Sequence, residues 1–147
     1  MDKYVIIELA ENNYYKELIL MNTLYHMWVY NRNDLVARVD YDYCRNYVSV
    51  ENYTDNIFIR PFGIKEDVTI SDLEAFFEER VWSPNRANIK EILDYYGMKS
   101  YDAYELVLKT HGSQFGDYIW VKFDENDPYC FEDLLASRGI TNEKSDL

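Results

Sequence analysis

The hydrophobic pattern of this chain changes period once, near Pro61 and Gly63. Ahead of that point apolar residues alternate or fall in short β-rich runs. Beyond it they recur at three- and four-residue intervals, the spacing of a helix face. Strands grouped first and helices later argue for an α+β domain, since a doubly wound parallel sheet needs the two to alternate. The expectation is an antiparallel β-sheet in the N-terminal half, packed with three to four helices of the C-terminal half.

In the first half, residues 4–9 and 25–30 read as strands, and Asn31 to Asp34 as the turn after the second. From Leu35 to Tyr41 the residues alternate, with Leu35, Ala37 and Val39 on one face and Val36, Arg38 and Asp40 on the other. Residues 47–50 and 57–59 complete an antiparallel meander. In the second half, Ser71-Asp72-Leu73-Glu74 reads as a capping box ahead of the stripe Leu73, Phe76, Phe77 and Val81. Ser83-Pro84 opens a second helix with Ile89, Ile92, Leu93 and Tyr96 on one face and Gly97 beyond its end. A third helix runs from about Asp102 to Thr110, with Tyr104, Val107, Leu108 and His111 in register. Residues 118–123 read as a strand with Trp120 buried, covered on both sides. Residues 128–137 form the last helix, carrying Phe131, Leu134 and Leu135. With 147 residues, the reading is a single domain over 1–140, with subdomains 1–62 and 63–140 as the alternative, and a flexible tail over 141–147.

Charge narrows the partners. The net charge is −12, and residues 61–147 carry eighteen acids against nine bases. Binding to a phosphate backbone or an anionic membrane calls for clustered Lys and Arg, and this chain has no such cluster in sequence. A basic protein partner is favoured instead, including one that itself binds nucleic acid. Cys44 and Cys130 read as two separate buried thiols, and with His26 and His111 they match no metal-ligand spacing. The N-terminal apolar stretch is too short for a signal peptide, so the expected location is cytoplasmic.

No phosphate-binding glycine loop, nucleophile elbow or metal motif occurs, so the sequence predicts no cofactor, no metal site and no catalytic residue. His111 could act as a general base with Asp117 or another carboxylate orienting it. The stronger reading is a structural histidine at a helix C-terminus, because no nucleophile accompanies it. Asp124-Glu125-Asn126-Asp127 reads as an acidic turn, since it lacks the glycine and distal glutamate of a calcium loop. Glu66, Asp67, Glu74, Glu78 and Glu79 form a dense acidic surface around the first helix, and they are the partner-binding candidates.

From Ile70 to Phe123 the chain resembles a segment of HipA-like proteins and their short stand-alone relatives from Firmicutes and mobile elements. The matching positions are Pro84 and Arg86, Gly97, Thr110 and Gly112, Asp117 and Trp120, with Leu20-Met21-Asn22 and Val36-Ala37 similar upstream. In that family the segment is an N-terminal accessory region, and the ATP-binding and catalytic parts lie beyond it. The resemblance implies a regulatory, partner-binding module of toxin–antitoxin type, and no kinase activity. The expected function is therefore a non-enzymatic interaction protein. The alternative is an acidic inhibitor that imitates nucleic acid, of phage anti-defence type.

Overall fold

The computed structural model describes residues 23–139. The strand expected at 4–9 and the tail at 141–147 lie outside them. Strands β1 (Leu24–Asn31), β2 (Asp34–Asp42), β3 (Tyr47–Asn52) and β4 (Ile119–Lys122) form one antiparallel sheet in the order β3-β2-β1-β4. Helices α1 (Ile70–Glu79), α2 (Ile89–Tyr95), α3 (Ala103–Thr110) and α4 (Phe131–Ser137) follow the first three strands. The fold is α+β, as the period change predicts. Among the described residues no helix is long and apolar enough to cross a membrane.

Alternation along β1 and β2 decides which face is buried. Met27, Val29, Ala37, Val39 and Tyr41 point to one face, where they meet Leu73, Phe76 and Phe77 of α1 and Val107 of α3. β4 comes from the helical half and pairs with β1, placing Tyr30 opposite Trp120 and Val29 opposite Val121. Val121 joins the main core, while Trp120 packs with Phe131 and Leu134 of α4 in a second cluster. The strand is thus covered on both sides.

Five local expectations are corrected. Residues 57–59 form a turn, with Phe58 88% exposed. Thr54 Oγ1 accepts from Asn56 N (3.2 Å) and Asn56 Oδ1 from Phe58 N (3.1 Å), so side chains take the N–H groups that a strand needs for its ladder. The cap of α1 is Thr69, two residues ahead of Ser71. Its hydroxyl accepts from Asp72 N at 3.2 Å, and Asp72 Oδ2 accepts from Thr69 N at 2.9 Å. Ser83-Pro84 starts a turn that Arg86 N and Asn85 N close onto Ser83, and α2 begins only at Ile89. α2 does end as expected: Met98 N donates to Leu93 O (2.8 Å) and Gly97 N to Asp94 O (3.1 Å), with Gly97 at φ +70. In α3 the buried stripe is Leu106 and Val107, with Ala103 packed beside them, and Leu108 is exposed. Cys44 is exposed and Cys130 half-buried, so neither is the buried thiol that composition suggests.

The cap shift is testable. Thr69→Ala lowers stability by about 1 kcal/mol, whereas Ser71→Ala changes it by a few tenths at most. Urea unfolding of the two variants reads the difference, and equal losses would restore Ser71 as the cap.

Candidate functional site

The end of α1 is fastened to the β4 approach by a buried arginine. Arg80 is 6% exposed. Its Nε donates to Gly112 O (2.8 Å), and its two terminal nitrogens donate to the Asp117 carboxylate (2.6 and 2.8 Å) and to Ile119 O (2.9 Å). Gly112 packs against Arg80 and Val107, and its φ of +64 is the left-handed backbone that favours glycine. Thr110 Oγ1 accepts from Gly112 N at 3.2 Å and donates to Leu106 O at 2.8 Å. Burial alone would raise the Asp117 pKa, but the Arg80 guanidinium and the Ile119 N–H outweigh it, and the pKa is lowered. Thr110, Gly112 and Asp117, which carried the family resemblance, therefore converge on one structural clamp.

His111 follows α3 in the left-handed region at φ +57. Its orienting carboxylate is Asp127, at 2.9 Å from Nε2, and not Asp117. The ring stacks on Tyr129 with centroids 3.7 Å apart and an interplanar angle of 7°. The 124–127 segment is a turn closed by Asp127 N on Asp124 O (3.0 Å), and Asp127 Oδ1 accepts from Tyr129 N. A second pair, His26 and Asp40 at 2.5 Å with Arg38 beside them, lies on the sheet face away from α1. Among the described residues no group of three or more His, Cys, Asp or Glu could hold a metal ion.

The acidic candidates divide. Glu74 and Glu78, one helical turn apart on α1, edge a hollow of about 360 Å³ whose other walls are Tyr43, Phe77, Asp102, Ala103 and Tyr104. Glu79, Glu66 and Asp67 are exposed but do not line it. Each wall has a local cause. Tyr43 is set by the β2–β3 turn, where the fully buried Asp42 accepts from Cys44 N (3.0 Å) and Arg45 N (3.2 Å). Asp102 is fixed as the cap of α3, accepting from Glu105 N at 3.2 Å. Tyr104 hydrogen-bonds Tyr41 through the two hydroxyls at 2.7 Å.

Three carboxylates thus surround an aromatic hollow that has no cation in its lining. Glu74 and Glu78 make no ion pair among the described residues, whereas Asp72 on the same helix is held by Lys65 at 2.8 Å. The field is felt by the nearby phenols. Burial and then the Glu74 charge push the Tyr43 pKa up to about 12. Tyr101 is raised by burial and then by Glu78. Such a hollow suits the cationic end of a Lys or Arg side chain: the rings present negative faces and the carboxylates accept its hydrogen bonds. Tyr43, Asp102 and Tyr104 were not legible as members, because they reach the site from the β2–β3 turn and the start of α3, both distant in sequence from α1.

Comparison with models of known families, with curated proteins and with solved structures finds no match to this chain.

Proposed function

We propose that this chain is a non-enzymatic, cytoplasmic interaction protein that binds another protein by taking a basic side chain into the Glu74–Glu78–Asp102 hollow. The observation that carries this is an aromatic hollow ringed by carboxylates with no cation of its own. The resemblance to the accessory region of HipA-like proteins supports a regulatory role of toxin–antitoxin type. Magnitudes say how the site works. A partly exposed ion pair contributes roughly 0.2–1 kcal/mol and an exposed cation–π contact roughly 0.5–1 kcal/mol. The hollow therefore selects and steers its partner, and the remaining affinity comes from the surface around it.

Affinity capture from the native cell, read by mass spectrometry, names the partner. The association rate is then measured at low and high salt. Reversing Glu74, Glu78 and Glu79 to Lys slows association about 10-fold or more at low salt, with a smaller effect at high salt. Stability stays nearly constant, because the capping box is Thr69 with Asp72 and leaves Glu74 free of it. An unchanged rate at both salts would make these residues a solvated surface and move the site to the tyrosine-rich sheet. If the captured partner is a nucleic-acid-binding protein that duplex DNA releases competitively, the nucleic-acid-mimicking inhibitor replaces the regulatory reading.

A further inference from the structure

A second groove has the opposite chemistry. Two adjoining hollows, of about 250 and 300 Å³, share Trp82, Thr110, Ser113, Gln114 and Phe115 in their walls. In a chain with 27 acids and 15 bases, neither lining contains a carboxylate among the described residues. Lys109, His111 and Arg138 line the first hollow, and Arg80 and Arg86 line the second.

Arg80 is held by Asp117 and His111 by Asp127, but the other three cations are weakly neutralised. Arg138 has no carboxylate in ion-pair range among the described residues. It donates to Ser113 Oγ (3.3 Å) and to Gln114 O, while its Nε is buried without an acceptor. Arg86 is exposed, and among the described residues its guanidinium donates only to Asn88 Oδ1, at 2.7 Å. Lys109 reaches Glu105 at 4.0 Å, a solvent-exposed pair one helical turn apart. The aromatic groups are as unusual. Phe115 is 85% exposed although Arg138 lies 5.7 Å from its centroid, and Trp82 leans on Tyr96 at 5.9 Å.

We propose that this groove binds a mononucleotide, with its phosphate on Arg138 and Lys109 and its base against Phe115 and Trp82. The positive charge of Arg138 and the Ser113 hydroxyl are groups of the kind that phosphate oxygens pair with. An exposed ring beside a tryptophan supplies a stacking surface that any base can use. Joined, the hollows fall within the roughly 300–1,000 Å³ of small-ligand sites. A long nucleic acid is disfavoured, because the net charge of −12 repels a polyanion while leaving a compact ligand free to enter. An acidic peptide would use the cations but leave the rings idle.

Calorimetric titration of the full chain with the four ribonucleoside monophosphates, with inorganic phosphate and with adenosine tests this. The expected result is that at least one monophosphate binds about 10-fold or more tightly than phosphate or adenosine alone. Arg138→Gln and Phe115→Ala each weaken it about 10-fold. Phe115 is exposed, so its variant keeps the fold even if Arg138→Gln loosens the 113–114 loop. Circular dichroism and the thermal midpoint check this. Absence of binding by all four at millimolar concentration would overturn the proposal. So would binding that neither variant weakens, or tight binding of an acidic peptide when no mononucleotide binds.

Discussion

Arg80→Ala lowers the stability of this protein by about 3–5 kcal/mol, the range for removing one partner of a buried ion pair. The loss is large because four hydrogen bonds end together: two to Asp117, and one each to the carbonyls of Gly112 and Ile119. Those carbonyls lie either side of the 113–117 loop, so the substitution also frees the approach to β4. Arg80→Lys keeps the charge but loses the planar fork, and it costs about 1–3 kcal/mol. Asp117→Asn costs less than Arg80→Ala, because the Asp117 side chain is 37% exposed and water can replace part of what it gave. The pH dependence has a definite sign. Arg80 depresses the folded-state pKa of Asp117 below its unfolded value, which lies near 4. The pair's contribution is therefore complete above about pH 4 and is lost as pH falls through the lower folded value. Urea unfolding at pH 7 and pH 3 should show the gap between wild type and Arg80→Ala narrowing in acid. A loss under about 1 kcal/mol at pH 7 would mean the clamp is not structural.

The division into strands and helices was legible because each half keeps one period over many residues. Met27, Val29, Ala37 and Val39 alternate through two paired strands, and Leu73, Phe76 and Phe77 share one turn and a half of helix. Short-range choices were less legible. Thr69 and Ser71 are both capping residues with an acid three positions on, and only the backbone at Thr69, extended at φ −107 and ψ 168, decides between them. Residues 57–59 have the composition of a strand, yet Thr54 and Asn56 turn the backbone before any partner can pair. For the acidic site, Glu74 and Glu78 were legible from their spacing. Asp102 and Tyr43 were not, since a cap and a turn tip become neighbours only after α1, α3 and the β2–β3 turn pack. Arg80 is the site residue least legible in the sequence. It follows Glu78 and Glu79 in what reads as a solvated run, and its partner lies 37 residues away. The one signal was Thr110-x-Gly112 ahead of Asp117, a turn whose glycine is required by its left-handed backbone at φ +64.

Trp120→Ala costs roughly 3–5 kcal/mol, the range for truncating a fully buried tryptophan. Trp120 is 2% exposed, stacks on Tyr30 with centroids 4.3 Å apart, and meets Tyr129 edge-on at 5.3 Å. Its indole N–H donates to Arg32 O at 2.7 Å, which holds the β1–β2 turn where Arg32 adopts φ +55. Among the described residues the second cluster is small, with only Phe131 and Leu134 also buried, so little remains to collapse into the space left behind. Trp120→Phe separates the two contributions. It retains a ring against Tyr30 and Leu134 but deletes the donor, and it should cost about 1–2 kcal/mol. A variant that keeps Trp120 as its sole tryptophan should emit at the blue end of the indole range in the folded state and shift red on unfolding. The damage also has a direction. Tyr129 touches Trp120 through its edge and His111 through its face, and both Tyr129 and His111 line the basic groove. Trp120→Ala at a temperature where it remains folded should therefore weaken a ligand of that groove while leaving the Glu74–Glu78 hollow unchanged, since the latter is built on the other core. Equal effects on both sites would mean that the two clusters act as one cooperative unit.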